Sequence, residues 1–227
     1  MSDPILTARA VIDLHDTLLG RGDWPGTDTA SALGLDPERT PLWHWVTTNH
    51  RNNSLLWAEE DLARRTRVSD TDIALNKRAI DRYNQARNDA TERVDELLLT
   101  ALGLVDANTA HTDAPLSTAS STARLNSETA GSMVDRMSIM ALKIEAMRQQ
   151  SLRSDASDEH RASSQVKLDR LRLQRGDLGA CLDALLADCT AGVAYFKVYR
   201  QFKMYNDARF NPVLVAEQRA AQPGTPG

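Results

Sequence analysis

Apolar residues recur at helical spacing along most of the chain. Ile5, Val11, Ile12, Leu18 and Leu19 form a first stripe that stops at Gly20, with Asp3 and Pro4 as the expected N-cap and first helical residue. "GRGDWPGTDTASALGLDPER" is a Gly/Pro/Asp-rich connection with room for one short turn around Ala30 to Leu33. Thr40 and Pro41 then open a second helix, expected to run to about Arg67. Ser69 and Asp70 cap a third, from Thr71 to Leu102 and closed by Gly103, about 48 Å long at ~1.5 Å per residue. Residues 103–122, rich in Ser, Thr, Ala and Pro, lack periodicity and read as a linker or lid. A fourth helix begins near Ser127 or Ser132 and reaches about Leu152, followed by the polar turn "SDASDEH". The pattern resumes near His160 and runs through Leu171, Leu178, Leu182, Leu185, Val193 and Phe196 to about Tyr205. With Gly176, Gly179 and Gly192 inside so long a segment, a bend is expected near Gly192. Asn211–Pro212 reads as a turn and residues 217–227 as a disordered tail.

Composition turns this pattern into a fold class. Aromatic residues make up 5% of the 227 and Gly and Pro number only 11 and 8, which disfavours strands and suits helices. The chain is all-α, and short connections between long helices predict an up-and-down bundle of about five helices with a polar inter-helix cleft. One domain, residues 1–216 with loops at 20–40 and 103–124, accommodates all of it.

Charge narrows the partners. The net charge of −4 is spread over interspersed acidic and basic residues, which argues against nucleic acid or an anionic membrane. No apolar run approaches the ~20 residues of a membrane span, and "MSDPILTARAVIDLHD" lacks the order of a signal peptide, so a cytoplasmic location is expected. Cys181 and Cys189 lie about 12 Å apart along one helix, too far for a disulfide, and read as buried thiols. His15, His44, His50, His111 and His160 form no HxxxH or ExxH pair, so a ferritin-like di-iron site is not expected.

Candidate chemistry comes from polar residues that break the pattern. The third helix has an apolar arc of Ile73, Ala79, Ile80, Tyr83, Ala90, Val94, Leu97 and Leu98, with Arg87 projecting into its middle. One shoulder carries Lys77, Asp81, Asn84, Gln85, Asn88, Glu92 and Asp95, while Arg82, Asp89, Arg93 and Glu96 lie farther toward water. Amides mid-helix cost up to ~0.7 kcal/mol each against Ala and must bond to one another, to other helices or to a ligand. In the second helix Asn49, Asn53 and Glu60 occupy positions within a core stripe, with His50, Trp57, Asp61 and Arg64 alongside. The fourth helix is apolar on opposite sides, as a central helix is, yet holds Asp135, Arg136 and Lys143. The interleaved aromatic and basic residues of "YRQFKMYNDARFNP" suit either an anion clamp or the polar end of a core helix.

Five segments in this order resemble a bacterial family known as domain of unknown function 4254: "LLWAEEDLARR" (55–65), "KRAIDRYNQARNDATERVD" (77–95), "LNSETAGSMVDRMSIMALKI" (125–144), "LQRGDL" (173–178) and "QFKMYNDARFNP" (201–212). The resemblance implies an all-helical protein associated with sugar or natural-product biosynthesis. The family pattern has histidines where this chain has Ala58 and Ala146, which argues against a His-based metal site here.

The resulting expectation is an enzyme that binds a small polar anionic metabolite between helices. Lys77, Arg136, Lys143 and Lys203 would neutralise its phosphate or carboxylate, with Asp81, Asn84, Gln85, Arg87, Asn88, Tyr205 and Asn206 completing the binding set. His50, Glu60, Asp61 or Asp135 would supply acid and base. No resident cofactor is expected, although Asn88 and Glu92, with Glu96 beyond, offer oxygen ligands for Mg2+ at helical spacing. Arg87 needs an acidic partner from another helix, Glu60 or Asp135. The alternative is a non-catalytic helical partner or scaffold for a biosynthetic enzyme, and a homodimer could form through the apolar face of the fifth helix. A pocket lined by Arg136, Asn84 and His50 would favour the enzyme; direct pairing of the polar groups would favour the scaffold.

Overall fold

The computed structural model describes residues 5–26, 35, 38–201 and 209–221. Among them are six helices: α1 (Ala8–Leu19), α2 (Pro41–Leu62), α3 (Asp70–Ala101), α4 (Ala130–Ser151), α5 (Asp158–Thr190) and α6 (Pro212–Ala221). Two short strands, β1 (Arg124–Leu125) and β2 (Ala194–Tyr195), pair in parallel with Arg124 opposite Ala194 and Leu125 opposite Tyr195. The protein is therefore all-α apart from this small clasp, and no helix among the described residues is long and apolar enough to cross a membrane.

Local chemistry sets the helix ends. Thr7 caps α1 through a hydrogen bond from the Ala10 amide; the Asp3–Pro4 start falls outside the described residues. Ser69 and Asp72 form a reciprocal capping box at the start of α3. α2 ends at Leu62 rather than near Arg67, because Arg65 folds back onto the Leu62 carbonyl (2.9 Å) and reaches the Asn76 side chain on α3 (3.1 Å). Gly103 closes α3 as expected: its φ of 67° lets the Leu104 amide donate to the Leu99 carbonyl.

α5 differs from its expected course. It stops at Thr190 instead of bending and continuing to Tyr205, because Gly192, at φ 71°, is a left-handed terminator. The Gly192 amide donates to the Cys189 carbonyl (3.1 Å) and the Val193 amide to that of Asp188 (2.8 Å). Beyond it, Ala194, Phe196 and Val198 are buried while Val193 and Lys197 are exposed, an alternation of period two. Asn211–Pro212 is likewise a helix start, since the Asn211 side chain accepts the Val213 amide (3.1 Å). α6 runs past Glu217 to Ala221, within the segment expected to be disordered; residues 222–227 lie outside the described set.

Side-chain pairings give the relative directions. Asn49 meets Thr91 while Glu59 meets Asn76, so α2 and α3 run antiparallel. Asp16 pairs with Arg175 while the Ala8 amide donates to Asp183, so α1 and α5 are antiparallel as well. α4 packs against α1, α2, α3 and α5 and is central, with Met133, Val134, Met137, Ala141 and Ile144 buried. Its first turn lies against α3: a Cβ on Gly131 would sit 2.5 Å from the Thr91 carbonyl oxygen, so a side chain there cannot be accommodated without displacing a backbone. The segment before it is no free linker, since Leu104, Val105 and Ala110 are buried in the core. Cys189 is buried as expected, but Cys181 faces outward; both are free thiols.

Candidate functional site

The polar residues of α2, α3 and α4 meet at one carboxylate. Asp135 Oδ1 accepts hydrogen bonds from the side-chain amides of Asn49 (2.8 Å) and Asn53 (2.9 Å), and lies 3.8 Å from Arg87 Nε. Arg87 therefore finds its acid in Asp135 rather than Glu60. The Asn49 amide also donates to Thr91 Oγ1 (3.1 Å), and Arg87 Nη2 donates to Asn88 Oδ1 (3.1 Å). Asn53 bridges deeper, donating to Ser138 Oγ (3.0 Å), which lies 2.7 Å from His50 Nδ1. With Ser138 accepting from Asn53, its hydroxyl proton is left for His50 Nδ1, so the chain Asp135–Asn53–Ser138–His50 runs in one sense and ends at a buried Nε2 that has no hydrogen-bond partner.

His50 is wholly buried and stacked between aromatic rings, His15 at 4.3 Å and Trp24 at 5.2 Å between centroids. Burial drives its pKa from 6.5 down to about 3, against a weaker opposing pull from the His15 backbone. His15 is lowered well below 6.5, first by burial, then by the neighbouring His50 and Arg175. Neither ring nitrogen of His15 has a hydrogen-bond partner. Both imidazoles are held neutral in the fold but protonate once unfolded, so stability is complete above about pH 6.5 and declines as pH falls toward their folded values. A His15→Phe variant, which removes orphaned nitrogens and no hydrogen bond, should gain on the wild type by up to about 1.4 kcal/mol per pH unit below 6.5. Urea melts at stepped pH would measure this, and a gap that stays constant with pH would contradict it.

Beside this network an open cleft of about 400 Å³ lies between the same three helices. Arg87 and Asn53 line it; Leu56, Trp57, Ile139 and Leu142 give it apolar walls, and Glu60, Asp61 and Arg64 stand along it. The Arg87 side chain is 23% exposed, and its Nε has no hydrogen-bond partner. Its carboxylate neighbour is already bonded to two amides, so this cation is left with unmet capacity at a cleft wall.

The other residues singled out from the sequence are dispersed. Arg136 and Lys143 are exposed and face the groove between α4 and α5, where Arg136 pairs with Glu128. Lys77 and Asp81 form an exposed pair on α3, Gln85 donates to Asp89 (2.6 Å), and Asn84 is half-buried. Glu92, half of the oxygen pair considered for Mg2+, binds Arg200 and the Gln201 amide. Glu96 is buried rather than turned to water, because Arg93 and Arg200 cover it. Among the described residues no cluster of three or more His, Cys, Asp or Glu side chains is arranged to hold a metal. Lys203, Tyr205 and Asn206 lie outside the described residues.

The structure adds Ser138, His15, Trp24 and Thr91, and takes Asp95 from the polar shoulder of α3 into the interior. Asp95 is buried and accepts the Gly131 amide (2.6 Å) at the start of α4. Burial pushes its pKa up to about 7, the bonds from Thr129 and Gly131 oppose this, and Glu92 and Glu96 reinforce it. A signal for Ser138 and His15 existed in their positions, Ser138 between Met137 and Ile139 and His15 on the helical stripe of Val11 and Leu18.

No curated protein and no solved structure matches the chain. A family model described as "Protein of unknown function (DUF4254)" matches residues 43–198, which span α2 to the end of the β2 segment and contain the Asp135 network apart from His15 and Trp24. With more than half of its length matched, the chain belongs to the family DUF4254.

Proposed function

We propose that the protein is an enzyme of small-molecule biosynthesis that binds a polar anionic metabolite in the α2/α3/α4 cleft of an up-and-down helical bundle. The metabolite would be a sugar, nucleotide or amino-acid derivative carrying a phosphate or carboxylate. The observation that carries this reading is Arg87: a guanidinium lining a cleft, with its buried Nε unbonded and Asp135, its one close carboxylate among the described residues, shared with two amides. An anion entering the cleft would meet the exposed part of that side chain. Asn53 would present its side chain to the ligand, Trp57 and Leu56 would cover its apolar edge, and Glu60 or Asp61 would exchange protons at the mouth.

Thermal-shift screening of phosphorylated sugars, nucleotides and amino-acid derivatives, each with and without Mg2+, tests this. An anionic member of the panel is expected to raise the melting temperature of the wild type, and Arg87→Gln should abolish the shift; a tenfold loss in affinity corresponds to about 1.4 kcal/mol. A shift that survives in Arg87→Gln would place the ligand elsewhere and refute the reading. Dependence on Mg2+ would bring the Asn88–Glu92 pair back as a ligand set.

One observation favours the second reading, a non-catalytic helical partner or scaffold. Asn49, Asn53, Asp135, Ser138 and His50 bond directly to one another, as a structural specificity network would. Under that reading no small molecule shifts the melting temperature, and a biosynthetic enzyme co-purifies with the chain. Self-association through α5 is a separate proposal, read from the mass in solution.

A further inference from the structure

Lys143 does not reach the Asp135 cleft; it edges a different pocket, of about 350 Å³, where α4 and α5 meet Trp57 of α2. Its surface is almost wholly apolar, with Trp57, Met147 and Leu171 in it; Lys143, Lys167 and Arg170 line it through their aliphatic stems and carry their charges at its edge, and among the described residues no acidic side chain lines it. Among the described residues none of these three cations is engaged in an ion pair, although most other arginines on α4 and α5, Arg136, Arg148, Arg161, Arg172 and Arg175, are. An anionic group at the edge of this pocket would therefore meet cations from two helices without displacing a counter-ion.

We infer that this pocket is a second binding site, for a small amphipathic anion: an aromatic body carrying a phosphate or carboxylate. The indole of Trp57 and the thioether of Met147 favour an aromatic over an aliphatic body, through offset stacking and sulfur contacts. Lys167 and Arg170, three residues apart on one face of α5, and Lys143 on α4 approach the charged end from two helices. The pocket size suits one small molecule rather than a folded partner. Trp57 lines both this pocket and the Asp135 cleft, so the two sites are neighbours without sharing a cation.

Calorimetric titration of the full chain with 1-naphthyl phosphate, 1-naphthol and inorganic phosphate tests the assignment. 1-Naphthyl phosphate should bind, and each half alone should bind at least about tenfold more weakly, because both surfaces are needed. Charge reversal at the exposed rim, Arg170→Glu or Lys167→Glu, should weaken 1-naphthyl phosphate by about tenfold or more, while Arg87→Gln leaves it unchanged. Circular dichroism melts of the rim variants establish that they fold. The inference is overturned if the rim variants bind as the wild type does, if Arg87→Gln abolishes binding, or if 1-naphthol alone binds as tightly. It is also overturned if phosphatidylserine vesicles bind through Lys167 and Arg170 while 1-naphthyl phosphate does not, which would make the surface a membrane contact.

Discussion

Replacing Asp95 by Asn should alter stability by an amount that grows with pH, the difference from wild type changing by about 4 kcal/mol between roughly pH 4 and pH 8. The sign follows from the raised pKa of about 7, set chiefly by burial. Between the unfolded value of 3.8 and the folded value of about 7, the folded chain holds a proton that the unfolded chain releases. The stabilisation from the protonated carboxyl is therefore fully present below 3.8 and is lost as pH rises through 7. Asn cannot ionise, and its oxygen can still accept the Gly131 amide, so the variant must gain on the wild type as pH increases. His15 and His50 act with the opposite sign at acid pH, but both remain in the variant and cancel in the difference. Chemical denaturation of the two proteins across this range measures the effect; a difference independent of pH would show that Asp95 ionises in the fold as it does in water.

Asp135→Ala should cost about 3–5 kcal/mol, the range for removing one partner of a buried ion pair. Its side chain is 16% exposed, and its loss leaves Arg87 without a counter-ion and the Asn49 and Asn53 amides without their shared acceptor. Much of that cost is the stranded cation, so combining the change with Arg87→Met should recover part of it. Urea unfolding of the two single variants and the double closes the cycle. Strict additivity would mean that the 3.8 Å approach of Arg87 to Asp135 contributes nothing.

That Arg87 needs an acid from another helix was legible in the sequence, because a charge inside an apolar arc demands a partner; which of Glu60 and Asp135 it takes is decided by the packing. Helix stripes and the Gly103 terminator were legible because each is local. At Gly192 the local signal was ambiguous, since Val193 and Phe196 extend a helical stripe as readily as Ala194, Phe196 and Val198 alternate along a strand. Glu96 lies on the water side of its own helix, and Arg200, distant in sequence, joins Arg93 in covering it. Arg136 and Lys143 share α4 with Asp135, yet they lie about 80–100° round the helix from it, toward α5. His15 and Ser138 occupy stripe positions, where a polar side chain signals burial without saying what it touches.

The Nε–H resonance of Arg87, assigned by comparing wild type with Arg87→Gln in nitrogen-15 correlation spectra, reads the anion site at the atom on which it rests. In the free protein this proton has no acceptor and should exchange readily for a buried group. On adding the metabolite that shifts the melting temperature, the resonance should move and its exchange should slow, as a charge-assisted hydrogen bond to the exposed part of the same guanidinium requires. If that ligand binds and the Arg87 resonance neither moves nor gains protection, the α2/α3/α4 cleft is not the site.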